Sequence, residues 1–496
     1  MSSELSRRHF GVGAVLAGGV AVGLGACGSH DGQDSDGTKP SGPPSSPGPG
    51  AEVSAQTLGY TVNVNKPGAP GYVFFVSGST AASPGAGSRP AILVIADKTG
   101  KVVWQRELPA GQTAGNLRVQ NFQGKPVLTW WQGLKQESHG LGVSHIADEQ
   151  YNVIAALTPG GDLSADIHEF RITSDGHALM TSYQEVTSDL TVIGGPKDGK
   201  IYNCIASVVD IASKKLLFSW DALSHVPITD SPAKYTAGQV LDPYHVNSIS
   251  LDPAGNLVIS MRALSTVFNV DTHTGSINWQ LGGKHSTFEI DNGVQFAYQH
   301  DAEMPDANTL TLFDNQAEGK PGQPGGGSVP TSLKWIHLDF TGRRASLIRA
   351  QTHPGNLSAG AMGNLQQLPG GDTFSGWGTA GHLAEFTPDG EIVYDVTLAG
   401  GTYRAFLNEW TGAPVEPPHL TFADMSVHAI WNGATAVAQW RLLYGPEGNS
   451  LTPLAVVPWA GYDTAIPVNA IAHGYYQLQA LDASAGVIDQ SPPIAH

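Results

Sequence analysis

The chain has 496 residues, with 43 acidic against 26 basic side chains and a net charge of −17 at neutral pH. Such an acidic surface argues against nucleic acid as a partner. Cys27 and Cys204 are the only cysteines, so we expect no internal disulfide, and the apolar neighbours of Cys204 indicate a buried thiol. A chain of this length can bury enough apolar surface to be stable without such a bond.

Residues 1–27 have the pattern of an export signal. The paired Arg7 and Arg8 precede a glycine- and alanine-rich apolar run that is too short for a comfortable membrane span. Paired arginines are typical of twin-arginine export, and Leu24-Gly25-Ala26-Cys27 resembles a bacterial lipobox. We therefore expect an extracytoplasmic protein that is anchored to the cell membrane by lipid on Cys27. The alternative is an ordinary signal that is cleaved near this point, with Cys27 as a bystander.

Three further segments follow the signal. Residues 28–55 are rich in Gly, Ser and Pro and are expected to form a flexible tether, because they cannot bury a core. Residues 56–418 contain many short strand-like runs and no convincing long helix. Residues 419–496 alternate apolar and polar side chains in the manner of strands and predict a small β-sandwich of the fibronectin or immunoglobulin type. Nothing in this last segment indicates catalysis.

Two kinds of turn alternate through residues 56–418. The first is led by an aspartate and recurs at intervals of roughly 60 residues, at Asp97, Asp148, Asp210, Asp271, Asp339 and Asp389. The second comes directly before a strand and lies at Gly124, Gly176, Gly255, Asn308 and Gly371. Between such turns, strands are predicted at 256–260, 267–270, 277–281 and 309–313. Six units of a few strands each predict an all-β fold, a six-bladed β-propeller with insertions.

Three histidines occupy an equivalent place in successive units, eight or ten residues before the second kind of turn: His168 before Gly176, His245 before Gly255 and His300 before Asn308. The strand before this turn should be the innermost of its blade, so its start should lie on one face beside the central channel. The strand after the turn runs back to the same face, where Arg262 and Asn315 follow it. The register therefore predicts a polar pocket shared by several blades.

Any one of these histidines taken alone is more simply explained as a core or rim hydrogen-bonding residue. Three at equivalent positions, joined by Arg262 and Asn247, favour a functional site. Other histidines, such as His139 and His285, fall outside the equivalent position and are interpreted as structural or exposed. A metal ion is not expected among the three, because acidic or cysteine companions are not evident and Arg262 would repel a cation.

Imidazoles, a guanidinium and a carboxamide together suit a tetrahedral sulfuryl or phosphoryl group. Its oxygens can accept from the donors while one unprotonated imidazole nitrogen attacks the central atom. The chain contains no Gly-rich phosphate-binding motif followed by Lys and Ser or Thr, which argues against a nucleotide-dependent transfer. No cofactor is expected.

Motifs spread over residues 56–417 resemble the arylsulfotransferases that work without phosphoadenosine phosphosulfate, and more closely their actinobacterial and fungal exported branch. The resembling segments occur in family order and include Asp166-Ile-His168, His245-Val-Asn247, Ser260-Met-Arg262, Gln299-His300-Asp301 and Phe313-Asp-Asn315. Two departures stand out. The fifth unit reads Thr373-Phe-Ser375-Gly-Trp-Gly378-Thr379 where characterised members place a hydroxyl donor, and the cysteine pair of the periplasmic members is missing.

The resemblance implies a six-bladed propeller and a ping-pong reaction that moves a sulfuryl group from an aryl sulfate to a phenol through a histidine. Carried over to this chain, it makes His300 the sulfated nucleophile. The residues that it assigns to substrate binding are His168, His245, Asn247 and Arg262. Asn315, which follows its strand at the same rim, is expected to bind substrate with them. The alternative from a different class is a propeller that holds an anion or glycan at the cell surface without turnover.

Overall fold

The computed structural model describes residues 58–78, 90–316 and 329–496. The export signal, Cys27 and the predicted tether at 28–55 lie outside these residues. Within them, no helix combines the length and the apolar character needed to cross a membrane.

The described residues form strands almost throughout. The first seventeen are β1 (Tyr60–Asn65), β2 (Tyr72–Ser77), β3 (Ile92–Ala96), β4 (Val102–Glu107), β5 (Thr113–Phe122), β6 (Lys125–Gln136), β7 (His139–Ala147), β8 (Val153–Leu157), β9 (Phe170–Ile172), β10 (His177–Ser188), β11 (Gly199–Asp210), β12 (Lys215–Asp221), β13 (Val246–Leu251), β14 (Leu257–Met261), β15 (Thr266–Val270), β16 (Ile277–Gly282) and β17 (Glu289–Ile290).

The second half continues in the same way. Its strands are β18 (His300–Glu303), β19 (Thr309–Asp314), β20 (Ser332–Asp339), β21 (Arg344–Thr352), β22 (Gln366–Gln367), β23 (Thr373–Gly376), β24 (His382–Phe386), β25 (Ile392–Leu398), β26 (Phe406–Asn408), β27 (His419–Ala423), β28 (Ser426–Ile430), β29 (Gln439–Gly445), β30 (Thr452–Pro458), β31 (Asp463–Pro467), β32 (Tyr475–Leu481), β33 (Val487–Gln490) and β34 (Ile494–Ala495). Helical structure in the described part is confined to one turn of α-helix, α1 (Ala222–His225), and to 3₁₀ turns at Thr191–Ile193, Ile228–Asp230 and Gly378–Ala380.

Residues 60–408 make six sheets of four or five strands, numbered here in chain order. Their strand orders are sheet I, β26-β2-β3-β4; sheet II, β5-β6-β7-β8; sheet III, β12-β11-β10-β9; sheet IV, β13-β14-β15-β16; sheet V, β17-β21-β20-β19-β18; and sheet VI, β1-β25-β24-β23-β22. The late strand β26 completes the first sheet and the early strand β1 completes the last. The two ends of this region are therefore held together by backbone hydrogen bonds between distant parts of the chain.

Apolar side chains join each sheet to the next. One cluster contains Leu179 and Cys204 of sheet III together with Ile249 and Phe268 of sheet IV. Equivalent clusters join sheets I and II, II and III, IV and V, and V and VI. A sixth cluster joins sheet VI back to sheet I. Burial of these apolar faces is the main stabilising term, at about 1.5–3 kcal/mol for each fully buried large side chain.

The strands predicted around the candidate site are confirmed to within about a residue at each end, the usual uncertainty of strand boundaries. They correspond to β14, β15, β16 and β19. Five of the six aspartate-led turns form as expected, because an aspartate side chain can accept from backbone amides further along its own turn. In the turn at Asp389, the Thr387 hydroxyl accepts from the Glu391 amide in its place. Asp97, for example, accepts from the amides of Thr99 and Lys101, each at 2.9 Å. Cys204 is buried, as predicted, and burial raises the pKa of its thiol well above the ordinary value.

Residues 419–495 form two further sheets. Their orders are β27-β28-β31 and β30-β29-β32-β33, with β34 paired to β32. One hydrophobic cluster draws on both of them, with Val427 and Ile466 from the first and Trp440 and Leu478 from the second. These sheets adjoin sheet I, where Asn432 Nδ2 donates to the carbonyl oxygen of Gln105 at 2.8 Å.

A buried network of charges ties the inner strands of several sheets together. Glu169, just before β9, accepts from Arg404 of the segment before β26 at 2.9 Å and from Arg118 of β5 at 3.0 Å. Burial opposes ionisation of Glu169, but Arg404, Arg171 and Arg118 outweigh it and hold its pKa at about 2. Because Glu169 directly follows His168 and also lies 3.8 Å from Arg171, the network holds this part of the backbone in place.

Candidate active site

The three equivalent histidines lie at the starts of edge strands in three successive sheets. His168 stands two residues before β9 of sheet III, His245 directly precedes β13 of sheet IV, and His300 is the first residue of β18 of sheet V. The side chains of His168 and His300 are buried, and that of His245 is 13% exposed. The turn spacing in the sequence thus corresponds to one position in each sheet.

His168 is held by a carboxylate two residues before it. Its Nδ1 lies 2.6 Å from Asp166 Oδ2, and its backbone amide donates to the same oxygen at 3.0 Å. Asp166 also accepts from the Gly140 amide at 2.8 Å. Burial alone would raise the pKa of Asp166, but His168 and these hydrogen bonds lower it below the ordinary value. The carboxylate therefore accepts a hydrogen bond from the protonated Nδ1 of His168, and Nε2 lies on the opposite side of the ring.

His245 has a matching arrangement. Its Nδ1 lies 2.7 Å from Asp242 Oδ2, which also accepts from the Ser138 hydroxyl at 2.9 Å. Burial lowers the pKa of His245 more than Asp242 raises it, so the ring is neutral at neutral pH with its proton on Nδ1. Nε2 of His245 is consequently a proton acceptor.

The hydrogen-bond partners of its two ring nitrogens determine where His300 carries its proton. Nδ1 lies 2.7 Å from Asn315 Oδ1, and the orientation of that amide is determined because its Nδ2 donates to the carbonyl oxygens of Ala359 and Met362. Nδ1 must therefore carry the proton. Nε2 accepts from the Met362 backbone amide at 3.1 Å. Burial and the positive charge of Arg262 lower the pKa of His300 well below the ordinary value, so a lone pair remains on Nε2.

The histidine rings are grouped around two tyrosines. The ring centroids of His168 and His245 are 4.9 Å apart, and both rings contact Tyr183, at 5.5 and 6.1 Å. Tyr403 lies between His168 and His300, at 5.7 and 6.5 Å from their centroids. Protonation of His300 beside these two imidazoles is disfavoured, which adds to the effects of burial and Arg262 on its pKa. The structure thus brings the three histidines together, although they come from three sheets.

Arg262 lies at the same place, directly after β14. Its guanidinium carbon is 4.8 Å from the centre of the Tyr298 ring, and Nη2 donates to the Gly360 carbonyl oxygen at 3.2 Å. Gly360 and Met362 belong to one short stretch, residues 359–363, which we call the covering segment. It contacts Arg262 through Gly360 and His300 through Met362, so it lies across both groups.

Asn247 has a different environment from the other candidate residues. It is fully buried in β13, and its Nδ2 donates to the carbonyl oxygen of Gln299 at 2.7 Å. Among the described residues its Oδ1 has no hydrogen-bond partner. The contact links the backbone immediately before His300 to sheet IV, which fixes the position of His300 relative to His245.

Four residues of the site have a left-handed backbone conformation, which residues other than glycine rarely adopt. Their φ angles are 54° at His245, 55° at Tyr298, 52° at Asp301 and 68° at Met362. Each such residue costs on the order of 1–3 kcal/mol and persists only because the surrounding structure enforces it. Three of the four flank or include a candidate histidine, and the fourth caps His300. Twelve other described residues besides glycine also have a positive φ, so this feature accompanies the site and does not by itself identify it.

Comparison with known protein families supplies the deciding observation. The family model described as Arylsulfotransferase (ASST) matches residues 118–399, more than half of the chain, and this range contains every candidate site residue except Cys27. The chain belongs to the arylsulfotransferase family. No curated protein matches this chain.

Several solved structures are similar to this arylsulfotransferase-family chain at low identity. One is a protein of unknown function from Bacteroides caccae, at 11% identity over 68% of this chain and 98% of that chain, with a TM-score of 0.40. A protein from Lactobacillus plantarum has 13% identity over 80% and 97% of the two chains and a TM-score of 0.36. The beta-propeller domain of Cps50 (Swd1) from Myceliophteria thermophila has 11% identity over 66% and 95%, with a TM-score of 0.32.

The structure adds groups that the sequence argument missed. The interpretation that the histidines lack acidic companions is wrong, because Asp166 and Asp242 bind two of them. The sequence contained a signal for this pairing, because Asp166 stands two residues before His168 and Asp242 stands three residues before His245. His139, set aside as structural or exposed, is buried and stacks on Tyr183 with ring centroids 4.9 Å apart. No local pattern identified it, because its position depends on how β7 packs against sheet III.

A cavity of about 500 Å³ lies elsewhere in this arylsulfotransferase-family protein. It is lined by residues of the turns at Gly176 and Gly255 and by Arg171 and Glu303. These turns connect the far ends of the strands whose starts carry His168 and His245. The cavity is therefore separated from the candidate histidines by the length of those strands.

Proposed function

We propose that the protein transfers a sulfuryl group from an aryl sulfate to a phenolic acceptor, with His300 as the group that carries it in between. The observation that supports this most directly is the hydrogen bonding of His300. Asn315 holds the proton on Nδ1, which leaves a lone pair on Nε2, and a neutral imidazole of this kind is a nucleophile. A site that only binds an anion would gain nothing from an unprotonated nitrogen aimed at it.

In the first half-reaction, Nε2 of His300 attacks the sulfur of the aryl sulfate. A nitrogen–sulfur bond forms, the bond between sulfur and the aryl oxygen breaks, and the phenolate leaves with its electron pair. The sulfuryl group carries negative charge on its non-bridging oxygens. Arg262 lies beside His300 and can donate to those oxygens.

The covering segment has to give way in this step. The Met362 amide now donates to the nitrogen that attacks sulfur, at 3.1 Å, and Gly360 accepts from Arg262 at 3.2 Å. A bound aryl sulfate replaces both contacts, because the sulfur needs the Nε2 lone pair and the oxygens need the guanidinium. The freed Met362 amide then becomes a further donor for a sulfuryl oxygen.

In the second half-reaction, the oxygen of an acceptor phenol attacks the sulfur and the nitrogen–sulfur bond breaks. His300 recovers its lone pair, and the phenol proton goes to a neighbouring base. We assign this role to His245, whose neutral ring is held by Asp242 with Nε2 free of that carboxylate. The pairing of carboxylate and imidazole orients the base and stabilises the imidazolium that forms.

We further propose that sheets I to VI are the blades of a six-bladed β-propeller and that residues 419–496 form a β-sandwich beside it. Six clusters that join each sheet to the next, and the last to the first, support the first assignment. A shared core between two sheets supports the second. In this arrangement the strands that begin at the histidines are innermost, so the site opens at the central channel.

The proposal is tested by mixing the purified protein with a chromogenic aryl sulfate and a simple phenol. The expected result is release of the chromophore together with formation of the sulfated phenol, with no nucleotide added. Release that yields only inorganic sulfate would indicate a hydrolase. Binding of the aryl sulfate without release would support a binding protein in place of an enzyme.

The pH dependence of sulfuryl uptake should reflect the depressed pKa of His300. Protonation occupies the Nε2 lone pair, so the rate must fall as the pH falls through the pKa of this ring. Because burial and Arg262 lower that pKa well below 6.5, we expect a constant rate from pH 8 down to about 6.5 and a decline only at lower pH. The measurement is rapid quenching with donor alone followed by intact mass. A rate already halved at pH 6.5 or above would contradict the assigned protonation.

We also propose that the protein is exported by the twin-arginine route and anchored by lipid on Cys27, on the strength of Arg7, Arg8 and the lipobox. Cys27→Ser expressed in a bacterium should move from the detergent phase to the aqueous phase on phase separation. Cys204→Ser is the matched control, because Cys204 is buried in the fold and should leave the anchor in place. Identical partition of Cys27→Ser and the parent would show that Cys27 carries no anchor.

A further inference from the structure

A second cluster of ligating side chains lies apart from the candidate active site, where sheets V and VI meet. His353 follows β21, His382 begins β24, and Asp395 lies in β25. Each offers one nitrogen or oxygen atom, and these three atoms lie within 4.8 Å of one another. We propose that His353, His382 and Asp395 bind a divalent transition-metal ion, with Zn²⁺ as the representative.

The distances between the ligating atoms suit such an ion. Asp395 Oδ1 lies 3.1 Å from His353 Nε2 and 3.1 Å from His382 Nδ1. Nitrogen and oxygen ligands bind Zn²⁺ at about 2.0–2.2 Å in a tetrahedron, which places neighbouring ligand atoms roughly 3.3–3.6 Å apart. Two of the three ligand pairs are therefore close to the required spacing. Two histidines and a carboxylate are also a ligand set that several divalent transition metals accept.

The negative charge of the Asp395 carboxylate also favours a bound cation. The Asp395 carboxylate accepts hydrogen bonds from His353, His382 and Asn63, as an ionised carboxylate does. Within the part of the chain that is described, its salt-bridge partners are these two imidazoles, and no lysine or arginine pairs with it. Buried carboxylates are normally paired with a cation or bound to a metal.

The surroundings include features of a metal site beyond the three ligands. Asn63 Nδ2 donates to the other carboxylate oxygen of Asp395 at 2.9 Å, which orients the carboxylate as second-layer hydrogen bonds do around bound metals. The side chain of His382 is 20% exposed, whereas those of His353 and Asp395 are at 7% and 10%. The cluster is thus open to solvent on the His382 side, where an ion can enter and keep a water as its fourth ligand.

Metal binding requires a proton shift on both histidines, because His353 Nε2 and His382 Nδ1 each donate to Asp395 and must present a lone pair to the ion. The Gly355 amide donates to Nδ1 of His353 at 3.0 Å, so without metal the ring carries its proton on Nε2, directed at Asp395. An ion takes the Nε2 lone pair, the remaining ring proton belongs on Nδ1, and the Gly355 amide has to turn away.

The test is Zn²⁺ titration of the full chain by calorimetry after treatment with a chelator, together with thermal unfolding with and without Zn²⁺. We expect a site that raises the unfolding temperature by linking sheet V to sheet VI. His382→Gln and Asp395→Asn should each weaken this binding by about tenfold or more. His382 is partly exposed, so its variant should fold even if Asp395→Asn does not, and circular dichroism checks both.

Two controls separate this cluster from other histidines. His428 lies 2.9 Å from Asp463, and no third ligating group among the described residues completes a cluster there. His428→Gln should therefore leave the Zn²⁺ affinity unchanged. His245→Gln removes an imidazole of the candidate active site and should also leave this binding event in place. Zn²⁺ binding that is unchanged by both His382→Gln and Asp395→Asn, or the absence of any Zn²⁺ binding, would overturn the proposal.

Discussion

The His300→Ala variant is expected to lose both covalent labelling by an aryl sulfate and transfer of sulfate to a phenol. The side chain supplies the only nitrogen that the mechanism uses as a nucleophile, so both half-reactions stop together. Removal of a nucleophile costs on the order of 10⁴-fold or more in turnover. The measurement is chromophore release in the presence of a phenol, with intact mass recorded in parallel after donor is added alone.

A matched histidine control guards against general effects of the substitution. His273 lies in the turn between β15 and β16, and its side chain is 90% exposed. His273→Ala should therefore retain the parental rate, while the folded state of His300→Ala is checked by its thermal unfolding. A His300→Ala protein that transfers sulfate at the parental rate would remove His300 from the mechanism.

Arg262→Lys should slow the reaction by about 2–4 kcal/mol of activation free energy, the scale of one lost oxyanion donor. Lysine keeps the charge but loses the planar fork that can donate to two sulfuryl oxygens together. It also loses part of the contact with Tyr298, over whose ring the guanidinium lies at 4.8 Å. The loss should appear in kcat/KM for the aryl sulfate, measured over a series of donor concentrations.

Arg349 provides the comparison for this substitution. Its guanidinium lies over the Trp335 ring at 3.7 Å, as Arg262 lies over Tyr298, but it is on β21 and donates to the carbonyl oxygen of Pro388. Arg349→Lys should affect stability at most. Equal kcat/KM values for the Arg262→Lys and Arg349→Lys proteins would show that the fork of Arg262 has no part in catalysis.

Much of the site could be anticipated from local sequence because it depends on repeating turns. A β-hairpin fixes the direction of its two strands, so an equal spacing from histidine to turn predicts an equal position in each sheet. This reasoning placed His168, His245 and His300 at the starts of the innermost strands, and in the structure each lies at or just before the start of an edge strand. It also placed Arg262 and Asn315 near the ends of the returning strands, which they directly follow. The same local spacing also predicts that Asp166 and Asp242 lie beside His168 and His245, because each aspartate shares the turn that precedes its histidine.

The remaining features depend on contacts between distant parts of the chain. Met362 reaches His300 across 62 residues of sequence, through the irregular stretch that follows β21. Arg404 reaches Glu169 across 235 residues and is fully buried there. Neither residue belongs to a repeating pattern, and the left-handed backbone at Met362 has no sequence signal such as a glycine at that position. Only the folded arrangement of the sheets shows that the covering segment lies over His300.

In the proposed mechanism the sulfuryl group is bound covalently to His300 between donor and acceptor. The most direct measurement is intact mass of the purified protein after mixing with an aryl sulfate alone, followed by peptide mapping under conditions that preserve the modification. We predict a gain of one sulfuryl group on the peptide that contains His300, and its loss when a phenol is added. Transfer at full rate without any mass gain, or a sulfuryl group mapped to a different residue, would contradict the account.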